Sequence, residues 1–147
     1  MPIELLARTP RLADLAPRHA NIVILLRAWA LLGRQRRCPY ALLVGQLGSP
    51  CAAARFQLLM EQIGAVWPDP FCVSPPCACL LSYDEATLAE MLAAAWRADR
   101  PAFDTLLMDL LAGDARDRLF DFAILFGRTL GRSAMALPPS GPDPKLA

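Results

Sequence analysis

Cys38, Cys51, Cys72, Cys77 and Cys79 are the residues best equipped for chemistry in this chain. Three of them form Cys-x4-Cys-x-Cys between positions 72 and 79. Thiolates hold zinc tetrahedrally, and a loop can gather them. The common zinc pattern is a pair of Cys-x2-Cys knuckles, however, and His19 is the only imidazole. Three readings stay open. The cysteines are small apolar fillers, or Cys38, Cys72, Cys77 and Cys79 contribute to a metal site, or they are redox-responsive thiols. For the last, Cys38 is the leading residue. It follows Arg34-Gln35-Arg36-Arg37 and precedes an expected helix. Positive charge and a helix N-terminus both favour the reactive thiolate.

Other catalytic chemistry has little to work with. One histidine removes most triads and imidazole acid–base schemes. The eight glycines are scattered, so there is no phosphate-cradling loop. Carboxylates are plentiful, but Asp84, Glu85, Asp99 and Asp114 sit where helix caps are expected. Asp117 and Asp121 lie one helical turn apart, a spacing that usually marks an exposed face. The expectation is a chain that is not an enzyme and carries no cofactor.

The elements that would position these residues are helices. Residues 1–18 are punctuated by Pro2, Pro10 and Pro17 and read as an arm, with single turns at Ile3–Ala7 and Leu12–Leu15. A first helix spans about Arg18–Arg36, its stripe set by Ile22, Leu25, Leu26, Trp29 and Leu32. Gly33 is a candidate early stop. A second helix fits Pro39–Leu47, with Gly48 as its turn. The third opens on Ser49-Pro50, carries Ala52, Phe56, Leu59 and Ile63 on one face, and meets Gly64 as a stop. The stretch 64–81 holds four prolines and no helical period. It is expected to be irregular, with Ala65–Trp67 and Cys77–Leu81 able to pair as a small ribbon confined to an edge.

Ser82-Tyr83-Asp84-Glu85 is a capping box and opens the fourth helix. Asp99 and Pro101 open a fifth, expected to end at Gly113. Asp114 opens a sixth, from Ala115 to about Leu130. Leu119, Phe120, Phe122, Ile124, Leu125 and Phe126 make this last helix apolar over more than one stripe. Such a helix is either central or part of a dimer contact. The contact residues would be Leu119, Phe122 and Phe126. Residues 132–147 are expected to form a disordered tail after a single domain over 1–131.

Apolar residues make up 55% of the 147, which excludes a disordered chain, and the net charge of +1 excludes a bulk pull toward polyanions. The charge is uneven: +6 over residues 1–60 and −5 over 61–147. Met1-Pro2-Ile3-Glu4 lacks the basic, apolar character of an export signal. The run Ile22–Leu32 is too short to span a bilayer. A cytoplasmic chain that does not engage membranes is expected.

The stretch Tyr40-Ala41-Leu42-Leu43-Val44-Gly45-Gln46-Leu47-Gly48-Ser49-Pro50 resembles the short helix and turn of MarR-type winged helix-turn-helix regulators. Leu58-Leu59-Met60-Glu61-Gln62-Ile63-Gly64-Ala65-Val66 resembles the end of their recognition helix, and Leu81-Ser82 their exit from the wing. The resemblance covers about residues 20–97. It implies a winged-helix-like core and a DNA interface carried by Arg34, Arg36, Arg37, Arg55, Gln57 and Gln62. It also makes a thiol-responsive regulator more reasonable. The chain departs from the family at the wing, since residues 67–81 hold Asp69 and no Arg or Lys. Phosphate contacts supply most DNA affinity, and this wing supplies none. Separately, Pro75–Leu111 resembles a family of small uncharacterised bacterial proteins in its Pro-Cys pair, its Leu-Ser-x-Asp-Glu helix start and two leucine-rich helices. That resemblance implies no activity and transfers no site.

The reading is therefore a mainly α protein of five or six helices, with a winged-helix-like core and an irregular or β-ribbon segment at 64–81. The function expected is a non-catalytic regulatory or protein-interaction module, homodimeric, with an unknown protein partner. A degenerate MarR-type DNA binder and a cysteine-based metal-binding protein are the alternatives.

Overall fold

The computed structural model describes residues 10–132. The turn expected at Ile3–Ala7 and almost all of the expected tail lie outside the described residues. Six α-helices make up the body: α1 Pro17–Arg34, α2 Tyr40–Leu47, α3 Pro50–Val66, α4 Tyr83–Trp96, α5 Arg100–Leu107 and α6 Gly113–Arg132. The described residues contain no β-strand.

Side-chain caps fix three of the six helix starts. Ser49 Oγ accepts the Ala52 N–H at 3.0 Å, and Asp99 Oδ1 accepts the Ala102 N–H at 3.1 Å. At α4 the capping box is complete: Ser82 Oγ accepts from Glu85 N, and Glu85 Oε1 accepts from Ser82 N. Each such cap is worth about 1 kcal/mol.

Two expected stops are not stops. Gly33 lies inside α1, which ends instead in a left-handed Arg36 with φ 55°. The Arg36 N–H donates to Gly33 O and the Arg37 N–H to Leu32 O, closing the last turn. Gly64 lies inside α3, which continues to Val66 until Pro68 removes a donor and forces Trp67 extended. In contrast, α5 ends at Leu107, six residues before the expected Gly113.

The expected pairing of Ala65–Trp67 with Cys77–Leu81 does not form, because Ala65 and Val66 are helical. Leu80 instead bridges Arg11 in the N-terminal arm, with Leu12 N donating to Cys79 O and Leu81 N to Pro10 O. The arm's 3-10 turn, Leu12–Asp14, falls where a single turn was expected. Leu12 and Leu15 then cover Val23, Leu81 and Ala86 as a small second core.

All six helices contribute to one main core. The sixth is central rather than peripheral: α6 packs most extensively on α3 and also touches α4 and α5. That explains its broad apolar surface, because three neighbours need three flanks. Leu119 and Phe126 are 0% exposed, with Phe126 set edge-on to Phe56 at 5.7 Å. These two residues are core, not a dimer surface. Phe122 is half-buried against the same core. Among the described residues no helix is long and apolar enough to cross a membrane.

Candidate functional site

Arg27 stands in the most apolar run of the chain, yet its side chain is 1% exposed. It is paired with Glu85, itself 0% exposed, through Nε to Oε2 at 2.8 Å and Nη2 to Oε1 at 3.0 Å. A buried charge is tolerated only when its polar atoms find partners, and here every side-chain nitrogen of Arg27 and both oxygens of Glu85 have one. Arg27 also donates to Ala78 O at 2.7 Å and Leu80 O at 3.1 Å. Glu85 also accepts from Ser74 N at 3.2 Å and Ser82 N at 2.9 Å. Burial pushes the Glu85 pKa upward, but the hydrogen bonds from Arg27, Ser82 and Ser74 outweigh it, holding the carboxyl below its ordinary value. The hydrogen bond to Glu85 raises Arg27 against its own desolvation.

The ion pair is thus the scaffold of the irregular segment 67–81. Asp84 extends it, accepting from Trp67 Nε1 at 3.1 Å and Cys72 N at 2.7 Å, while Ser82 Oγ donates to Cys72 O at 2.7 Å. The first turn of α4 therefore holds both ends of a proline-rich loop that has no helical or strand ladder of its own.

Held this way, Phe71 and Val73 form one wall of a groove of about 520 Å³. α1 supplies Leu26, Trp29 and Ala30, and α3 supplies Met60 and Ile63. Trp29 is pinned by its Nε1–H, which donates to Gln57 Oε1 at 2.8 Å, and stands edge-on to Phe56 at 6.1 Å. Gly33 and Gly64 also line the groove, and a Cβ added at either meets nothing within 4 Å. Arg34 stands on the rim.

The expected DNA-reading residues are divided by this geometry. Arg34, Arg36 and Arg37 are exposed at the end of α1. Arg55 instead reaches across to α6, donating to Leu125 O at 3.1 Å and to Thr129 Oγ1. Gln57 is committed to Trp29 and to Glu61, and Gln62 is half-buried. The exposed face of α3 shows Cys51, Ala54, Leu58 and Glu61. Arg55 and Gln57 are thus structural ties rather than free base-readers.

All five cysteines are free and exposed, so the reading of them as buried fillers does not hold. Nor do Cys38, Cys72, Cys77 and Cys79 assemble a ligand set. Among the described residues no three His, Cys, Asp or Glu side chains are grouped to hold a metal ion. Cys77 and Cys79 flank Ala78, whose carbonyl is held by Arg27. Cys38 lies in the exposed turn between α1 and α2.

No protein-family model, curated protein or solved structure matches the chain.

Sequence reasoning missed the ion pair and the groove. The signal for the first was a lone Arg inside an apolar helix together with a Glu at a capping-box position. The groove had no comparable signal, since its walls come from three separate segments.

Proposed function

We propose that this chain is a cytoplasmic, non-catalytic protein-interaction module whose docking surface is the groove between α1, α3 and segment 67–81. Its occupant is a partner helix with one apolar face and acidic residues beside it. The observation that carries this reading is an apolar groove of about 520 Å³ held open by Trp29, Phe71 and Val73 and bordered by Arg34. Helix-in-groove recognition needs such a trough and little polar lining. Gln57, the other polar lining residue, is already occupied by Trp29 and Glu61. Arg34, with Arg36 and Arg37 just beyond it, favours an acidic partner through charge complementarity. The architecture we favour is a winged-helix-like core, with α2 and α3 as the helix-turn-helix pair and segment 67–81 in the place of the wing.

The test is selection from a library of short peptides, compared between the unmodified chain and G64L. Position 64 opens onto the groove, so leucine fills it without disturbing the core. Peptides with apolar residues at helical spacing and acidic flanks should be enriched, and G64L should lose them while keeping its circular dichroism. Peptides retained by G64L would refute the groove. Duplex DNA is the control: tight, steeply salt-dependent binding that is lost on replacing Arg34, Arg36 and Arg37 by Gln would favour the DNA-binding reading instead.

Self-association is a second reading, favoured by one observation. Leu125 on α6 is 39% exposed. A homodimer through α6 would use Phe122 and Leu125, and a monomeric mass by light scattering would rule it out.

A further inference from the structure

Near the other end of α1, residues of α1, α4 and α6 border an open cleft of about 310 Å³ lined by Arg18, Trp96, Ile124, Gly127 and Arg128. We infer that this cleft binds a small phosphomonoester, its phosphate held between Arg18 and Arg128 and its apolar body against Ile124 and Gly127.

The cleft is cationic and uncompensated. No carboxylate pairs with Arg18 or Arg128 among the described residues, whereas Arg27, Arg97, Arg100 and Arg116 all have acidic partners. The first turn of α1 contains no acid to compete for Arg18. Two guanidiniums match the roughly −1.5 to −2 charge of a phosphomonoester, and their planar forks suit its oxygens.

The site is also built rather than incidental. Trp96 is fixed by its Nε1–H, which donates to Ala123 O at 3.0 Å. Its ring lies so close to Gly127 that an added Cβ would fall 2.4 Å from Cδ1. Glycine at 127 is therefore what admits the indole. Arg18 stacks on that ring, its Cζ 4.7 Å from the centroid, so part of the entropy of fixing a long side chain is spent before a ligand arrives. His19 stacks on the same indole at 5.1 Å, the two rings nearly parallel at 18°. A free phosphate would leave the apolar half of the cleft unused, which is the reason for assigning an ester.

His19 supplies the readout, because it is the only histidine. Burial lowers its pKa, and Arg18 and Arg97 lower it further. The charged groups acting on it are Arg18 on α1 and Arg97 at the end of α4, the latter with Asp99 as its partner, while Arg128 lines the same cleft as Arg18 from α6. A bound anion offsets the arginines and moves the His19 titration upward. The experiment follows the His19 ring protons by NMR while phenyl phosphate or inorganic phosphate is added at constant ionic strength. Phenyl phosphate should give a saturable shift and raise the His19 midpoint. Inorganic phosphate should act in the same direction and more weakly. R128Q, which leaves Arg18 in place, should weaken phenyl phosphate about tenfold, and R34Q, at the far end of α1 and outside the cleft, should change nothing. A shift no larger than that from matched chloride, or one unaltered in R128Q, would overturn the assignment. Equal affinity for the two phosphates would overturn the ester.

Discussion

Replacing Arg27 by methionine keeps the aliphatic stem and removes the fork. Glu85 would then be a buried carboxylate without a counter-charge, and Ala78 O and Leu80 O would lose their donors. Breaking one side of a buried pair costs roughly 3–5 kcal/mol, a large part of the roughly 5–15 kcal/mol that holds a domain together. The informative variant is the double one, R27M/E85L. At buried ion pairs, replacing both partners with apolar residues is often neutral or stabilising, because the desolvation cost vanishes. Here it should not be. Four backbone groups, Ala78 O, Leu80 O, Ser74 N and Ser82 N, depend on the two side chains. At about 1 kcal/mol net each, less what water recovers, the double variant should lose about 2–4 kcal/mol. Urea unfolding followed by circular dichroism and by tryptophan fluorescence measures this, since Trp67 hydrogen-bonds to Asp84 in the same frame. R27K, which retains charge but not the fork, should fall between and remains measurable if R27M does not fold. A double variant within about 1 kcal/mol of the parent would refute the claim that the pair scaffolds segment 67–81.

Other consequences can be checked by the same unfolding experiments. G127A should cost about 1–3 kcal/mol and change the Trp96 emission, because the methyl must displace the indole; an unchanged midpoint would contradict the close approach. A98G should stabilise by about 0.5–1 kcal/mol, since Ala98 sits at φ 55° where glycine is unstrained, and a loss of stability would argue against that backbone. F126A should cost about 3–5 kcal/mol, with a melting temperature independent of protein concentration, as befits a core rather than an interface residue. Glu85 has a depressed folded pKa, so its contribution is complete above the unfolded carboxyl value of roughly 4.3 and is lost as pH falls through the folded value. The stability gap between the parent and E85Q should therefore hold from neutral pH to about 5 and narrow in more acidic solution; a gap constant down to pH 2 would disprove the linkage.

Where side chains cap backbone locally, the sequence was legible. Ser49, the Ser82–Glu85 box and Asp99 each act within three residues, and each stands where expected. Glycine was a poorer guide. Gly33 and Gly64 are helical, while the left-handed stop of α1 falls on Arg36, a residue no propensity would choose. The width of the apolar face on α6 announced many neighbours without saying whether they belonged to this chain. Only the packing of α3, α4 and α5 around it answers that. Arg55 and Gln57 looked available on a helical wheel, and both are taken by residues 28 or more positions away. Pairings of that range are set by tertiary geometry, which is why the groove and the cationic cleft were not readable in advance.

The partners of the Arg27–Glu85 bridge are 58 residues apart, and this has a consequence for synthesis. During translation, residues 67–81 leave the ribosome before Glu85 does. Cys79 O and Leu81 N are bonded to the arm, but Cys72 N, Ser74 N, Ala78 O and Leu80 O all end on that bridge or on Asp84, so this part of their order waits for α4 to emerge and dock on α1. For that interval Cys72, Cys77 and Cys79 belong to a proline-rich stretch of nascent chain whose native backbone ties to earlier residues run to the arm and to the end of α3. Maturation of this loop is therefore completed only when the carboxylates of Asp84 and Glu85 arrive.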